Sequence, residues 1–291
     1  MTSRLHQGDA EPGGRRPRGG SSAAVTHITD ARRAAALPLE RQLAETQELL
    51  DRGLPSTAEA KLRQLISQAK REPFILARAR YLHSTALQAI GRNRDALEAV
   101  EMYEQPEADE GLDAETFAGV RVQLALSYNY TGDAPKAIAI LQAELRAATE
   151  QNGSDARLGN IYNAKARVYR HISEYSIARD HSNKALEYYR RAGEWRGLAE
   201  SYFGLGMADA HEGRWEKTLE NFEQAIQLIG DRPAPFMLGK IYSNMAAAHW
   251  WLKRPHEGIR ALEKAIAYNE HTEYKENAAT SYNNLGINLI R

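Results

Sequence analysis

The residues best suited to chemistry fall in three short clusters. Gly204-Leu205-Gly206 supplies two glycines of a dinucleotide cradle, where missing side chains let backbone N–H groups approach a pyrophosphate. Such a cradle follows a strand and needs a third glycine. Neither is present, so Gly206 reads as a small residue required for close packing. Asp209, His211 and Glu212 sit close together, but the chain has no His-Glu-x-x-His or comparable metal spacing, and they read as a surface cluster. Trp250-Trp251 offers an aromatic platform. Of two adjacent helical residues one must turn partly inward, so at least one tryptophan is expected in the core. There is no phosphate-binding Gly-x-x-x-x-Gly-Lys loop and no Gly-x-Ser-x-Gly elbow. The chain has no cysteine, which removes thiolate zinc sites, cysteine nucleophiles and disulfides. No acid–base constellation emerges, so no catalytic residue, metal or cofactor is expected.

The chemistry left is recognition, and charge narrows its object. The 291 residues carry 38 basic and 38 acidic side chains, a balance that speaks against nucleic acid or an anionic membrane as the main partner. The N-terminus lacks the apolar core of a signal peptide and no apolar run reaches the ~18 residues of a membrane span, so a cytoplasmic location is expected. Residues 1–35 are rich in Gly, Pro, Arg and Ser, too poor in large apolar groups to offset ordering entropy. They read as a disordered tail. Arg15-Arg16-Pro17-Arg18-Gly19 departs from the alternating order of a minor-groove hook and reads as solvated.

From Leu39 onward the period is helical. Leu219, Phe222, Ile226 and Ile229 are spaced 3, 4 and 3, one apolar stripe on a helix. Ile259, Leu262 and Ile266 repeat the spacing. Gly53, Gly91, Gly132 and Gly213 fall between stripes, where helix C-caps and short turns place glycine. Ser56 with Glu59 fits a capping box. Residues 104–116 hold six acids and no base and read as a solvated loop.

The stripes recur. Tyr162, Tyr202, Tyr242 and Tyr282 lie 40 residues apart, as do Ala185, Ala225 and Ala265, and Ser182, Phe222 and Leu262. Tyr202-Phe203-Gly204-Leu205-Gly206 and Tyr282-Asn283-Asn284-Leu285-Gly286 resemble the first-helix pattern of tetratricopeptide repeats. Ala137, Leu141, Ala178, Ala185, Phe222, Ala225, Leu262 and Ala265 resemble the second-helix pattern. The resemblance covers residues 39–291. It departs at His83 and Lys165, where leucine is usual, and at Asp209 and His249, where tyrosine is usual. The standard unit has 34 residues; a period of 40 leaves room for longer helices and connections. The resemblance implies an all-α fold, a right-handed superhelical solenoid of antiparallel helix pairs spanning 36–291, with six pairs and a terminal helix at 274–291. Gly206 and Ala225 should mark close helix contacts, with Tyr202 and Phe222 filling the space beside them.

The family also implies a concave face lined by first helices. Its positions map onto Asn160, Asn163, Arg167, Arg170 and His171, then Glu200, Phe203, Met207 and His211, then Lys240, Ser243, Asn244, Trp250 and Trp251, and finally Asn283 and Asn284. From these, the expected peptide-binding groove comprises Asn163, Arg167, Arg170, Phe203, Met207, Lys240, Ser243, Asn244, Trp250, Asn283 and Asn284. Asparagine can pair with a peptide backbone as donor and acceptor, while arginine and lysine can hold carboxylates. The expectation is a protein-interaction module gripping a peptide, acidic or with a free C-terminal carboxylate. The end of the chain inside a repeat suggests an alternative, the sensor domain of a larger signalling or transcriptional regulator. The last helix carries Tyr282, Leu285, Ile287, Leu289 and Ile290; the part of this set left uncovered suggests either that the protein continues beyond Arg291 or that this end self-associates with another chain.

Overall fold

The computed structural model describes residues 21–105 and 111–273. The chain divides into two units, Met1–Pro38 and Leu39–Arg291. Helix α1 (Ser21–Asp51) begins in the first and ends in the second, with Pro38 inside it. It reaches back over part of the stretch read as a tail, where Ala23, Ala24, Ala31 and Ala34 are strong helix formers. The second unit continues with α2 (Pro55–Gln68), α3 (Pro73–Ala89), α4 (Asn93–Glu98), α5 (Ala114–Tyr130) and α6 (Ala134–Glu150). Then come α7 (Asp155–His171), α8 (Tyr175–Ala192), α9 (Trp195–His211), α10 (Trp215–Ile229), α11 (Pro235–Trp251) and α12 (Pro255–Asn269). Among the described residues there is no strand, and no helix is long and apolar enough to cross a membrane. Each helix packs on its neighbours in sequence, and α3, α5, α7 and α9 also pack first helix on first helix. The fold is an all-α solenoid of antiparallel pairs.

The period is visible in the element bounds. Helices α3, α5, α7, α9 and α11 have 17 residues each. The last three start at 155, 195 and 235. Tyr162, Tyr202 and Tyr242 therefore share one helical position. Tyr162 stacks on Tyr188 at 5.5 Å under Lys184, and Tyr242 stacks on Tyr268 at 5.8 Å under Lys264. At Tyr202 the phenol accepts instead from Arg190 at 2.9 Å. The turn inside each pair passes through the left-handed region at Gly132, Ser173, Gly213 and Lys253.

Small residues set how near the helices come. Phe222 is fully buried, and its ring lies 2.5 Å from where a Cβ on Gly206 would stand. Tyr189 presses in the same way on Gly159 of α7 and Gly197 of α9, joining two successive repeats. No side chain fits at those glycines without moving an aromatic ring out of a packed core.

Two departures from the family pattern, Lys165 and Asp209, are buried, and Asp209 brings its own partners. Asp209 is 4 % exposed and accepts from Arg214 Nη2 at 2.6 Å and Asn221 Nδ2 at 2.9 Å. Burial pushes its carboxyl up against the pull of Arg179 and Lys217. Lys165 is buried on α7 and its pKa falls, first through burial and then through Lys184. His181 stacks on Tyr169 at 5.2 Å. Burial, with Lys165 and Lys184 beside it, pushes its pKa down to about 4.

Several expectations need correction. Ser56 does not cap α2: the helix starts at Pro55 after Leu54, which has no side-chain acceptor, and Glu59 is buried against Arg63 and His83. The second helix of the α3 pair, α4, is short: it stops at Glu98, and a 3₁₀ turn follows at Glu101–Glu104. Three acids of the supposed solvated loop are engaged: Glu104 with Tyr128 and Lys136, Asp113 as the N-cap of α5, and Glu115 with Ser154. Neither tryptophan is in the core; Trp250 is 37 % and Trp251 64 % exposed, and Trp251 stacks on Trp215 at 5.4 Å. A second aromatic in the preceding repeat satisfies its face without burial. The C-terminal helix and its self-association lie outside the described residues.

Two outcomes follow from this packing. Gly206→Leu should lower stability by about 1–3 kcal/mol or more, measured by urea unfolding; an unchanged midpoint would refute the pairing of Gly206 with Phe222. His181 is protonated in the unfolded chain below its ordinary value of 6.5 but resists protonation in the fold down to about 4. The unfolded state then binds the extra proton, so stability falls as pH drops through that window. His181→Phe should flatten the fall between pH 6.5 and 4, and an equally steep fall in the variant would remove His181 as its cause.

Candidate functional site

The inner face of the solenoid gathers charged and aromatic side chains from five first helices. At its centre is Tyr130, the last residue of α5. Arg167 on α7 donates to the Tyr130 hydroxyl at 3.0 Å and its guanidinium lies 6.0 Å from the ring centroid. Arg170, a turn further along α7, and Lys240 on α11 are close enough for their charges to act on Tyr130 as well. The phenol pKa is lowered, chiefly by Arg167, with Lys240 and Arg170 adding to it. Lys240 lies over two rings, Phe203 at 5.3 Å and Phe236 at 5.1 Å, a cation–π seat.

The three cations repel one another. The Arg170 guanidinium is pulled down from its ordinary value first by burial and then by Arg167, and Lys240 is lowered by the same two influences in the same order. For Arg167 burial opposes the charge, but Tyr130 and Glu200 overcome it and raise the pKa. The site is wet yet hemmed in: Lys240 is exposed and Tyr81 of α3 is 37 % exposed, although protein surrounds each closely enough for burial to lead its shift. A narrow, solvent-accessible concavity reconciles the two. Glu200 on α9 is the acid of the cluster, and it accepts from Asn163 Nδ2 at 2.9 Å. Among the described residues Arg167, Arg170 and Lys240 have no carboxylate ion-pair partner. The arrangement holds three positive charges against one negative one on a concave surface, and can take an anionic group with aromatic surface beside it.

Not every expected groove residue joins this centre. Arg167, Arg170, Lys240 and Phe203 do. Asn163 is 7 % exposed and clamps Glu200, so it positions the acid. Phe203 also stacks on Phe222 at 5.6 Å, and Met207 packs on the same core. Asn244 donates to the Lys240 carbonyl of its own helix at 2.8 Å. Ser243 is partly buried and Trp250 stands exposed at the end of α11. Asn283 and Asn284 lie outside the described residues.

Sequence reasoning missed Tyr81 and Tyr130. The early first helices start at 73, 114 and 155, a step of 41 rather than 40. Carrying that step backward from Asn163 reaches Tyr81, and from His171 it reaches Tyr130. A cleft of about 390 Å³ elsewhere, lined by Arg179, Asn183, Asp209 and Arg214, is occupied by its own ion pairs: Arg179 and Arg214 both pair with Asp209 and Glu212.

Residues 116–191 and 157–231 match the tetratricopeptide repeat. No curated protein matches the sequence. Among solved structures, the chain is similar to a signal transduction ATPase with numerous domains (STAND) that has a tetratricopeptide repeat sensor, from Pyrococcus horikoshii. The TM-score is 0.65 at 17 % identity, covering 93 % of this chain and 38 % of that one. The chain thus spans well under half of that protein's length. It is also similar to the apo quorum sensor NprR from B. thuringiensis (TM-score 0.57, 14 % identity, 88 % and 71 % covered). NprR in complex with its cognate peptide NprX gives 0.60 at 17 % identity, covering 92 % and 78 %. At such identity these likenesses establish the fold. Residues 116–231 thus carry tetratricopeptide repeats, and the helix pairs on either side of them follow the same architecture.

Proposed function

We propose that this protein is an interaction module that binds a peptide on its inner face, with a carboxylate seated on Arg167, Arg170 and Lys240. The observation that carries the reading is the convergence, on a concave surface, of three cations that have no carboxylate partner among the described residues. Natural folds seldom leave such charge unpaired in an enclosed place, because repulsion and desolvation both oppose it. An arriving carboxylate offsets both, and arginine can hold it with two parallel hydrogen bonds. Phe203, Phe236 and Tyr81 supply apolar contact area beside the charge. A C-terminal carboxylate and an acidic side chain present the same chemistry. The peptide complex of NprR, on a similar fold, supports a peptide as ligand.

A second reading is specifically favoured by the likeness to a larger protein with a tetratricopeptide repeat sensor, of which this chain spans 38 %. In it, the solenoid is the sensor portion of a signalling or transcriptional regulator, and peptide binding is its input. A cytoplasmic setting suits both readings. A reading frame extending into an effector domain would favour the second.

The test is a peptide library displayed with free C-termini and again as C-terminal amides, in acidic and neutral sequence sets. Wild-type protein should retain acidic or free-carboxylate peptides, with affinity falling as salt rises. Arg167→Glu with Lys240→Glu should lose those binders and most of the salt dependence. Retention of the same peptides at the same affinity by the double reversal would exclude this site.

A further inference from the structure

The two ends of the described solenoid meet. Helix α2 begins after Leu54, which offers no side-chain acceptor to the first turn. Helix starts leave several N–H groups without intrahelical partners. Here Glu273, which follows α12, supplies the missing acceptor from 217 residues away. Its carboxylate accepts from the Ser56 and Thr57 backbone N–H groups and from Thr57 Oγ1 at 2.6 Å. Its own N–H donates to the Gly53 carbonyl at 2.9 Å. The negative charge also suits the positive end of the helix dipole. Burial works against the ionised Glu273, but these hydrogen bonds win and lower its pKa.

A second contact crosses from the same end of the array. Asp51, the last residue of α1, forms a bidentate pair with Arg196 on α9, while Gln47 donates to Asp51 at 3.0 Å. Arg196 lies one helical turn before Glu200, so the pair sits at the edge of the cation cluster. Tyr81 of α3 is within electrostatic reach of Arg196, Glu200 and Arg167. Helix ends separated by several repeats therefore touch through these side chains.

We infer that Asp51–Arg196 and Glu273 with the start of α2 form a latch that closes the solenoid into a ring, and that releasing it admits a ligand to the inner face. Both contacts are polar and at least partly solvent-accessible, and exposed ion pairs contribute little each. The latch is thus weak enough to open without unfolding the repeats, whose cores lie elsewhere. The gating half rests on the inner face being the binding surface; the closure itself does not.

The chain has no cysteine, so one introduced thiol reports on one place. Tyr81→Cys puts it on the inner face. Its alkylation rate is measured with iodoacetamide and with a maleimide carrying a bulky polyethylene glycol. In the latched chain the bulky reagent should lag far behind the small one. Adding Asp51→Asn and Glu273→Gln should raise the bulky-to-small rate ratio several-fold, with circular dichroism and melting close to the parent. Salt gives a readout without the latch substitutions: at 1 M, where screening falls to about 3 Å, the latched chain's ratio should rise toward that of the unlatched one. An unchanged ratio under both treatments overturns the proposal, as does a bulky reagent that reacts freely with the latched chain. No peptide is involved, so a failed library screen with a responsive ratio would sink the peptide reading and leave the latch standing.

Discussion

Where Phe222 lies against Gly206, two helices approach so closely that even a methyl group is excluded. Everything else in the molecule follows from contacts of this kind. A single helix pair exposes apolar residues on two sides and cannot bury both, so it must stack on a neighbour. Tyr189 shows how the stacking is fixed: one ring fills the space over Gly159 in its own pair and over Gly197 in the next. Repeating the geometry at a step of 40 residues curves the row of first helices inward, and that curvature brings α5, α7, α9 and α11 to one site.

The core and the inner face therefore use different residues of the same helices. On α9, Gly206 and Leu205 are buried in the core while Glu200 faces the inner surface. On α7, Ile161, Ala164 and Val168 are buried, and Arg167 and Arg170 are not. Such division lets the inner face vary in chemistry without cost to the stack. It also accounts for charge that a single compact core would not tolerate.

The fold was legible because its period was. Tyr162, Tyr202 and Tyr242 do share one helical position, and Gly206 does meet Phe222. The candidate site was legible in part. Arg167, Arg170, Lys240 and Phe203 came from register alone, since first-helix positions point the same way in every repeat. Tyr81 and Tyr130 escaped because the early repeats are one residue longer. Glu59 looked like half of a capping box, yet the acceptor for α2 is Glu273, 217 residues away; local spacing carries no information about such a partner. The tryptophan pair misled for a related reason: Trp251 finds its stacking partner, Trp215, in the preceding repeat, which local helical geometry does not reveal.

The central claim is that three cations are held together for a ligand's sake and not for the fold's. Arg170 is the cleanest probe. Burial and the neighbouring Arg167 both oppose its charge. Arg170→Met keeps much of the apolar stem and removes the guanidinium. Urea unfolding of the ligand-free protein measures the consequence most directly. On this account the variant unfolds at a higher urea concentration than the wild type, because repulsion within the cluster is relieved. A lower midpoint would show that Arg170 stabilises the fold, and would contradict the assignment of the cluster to ligand binding.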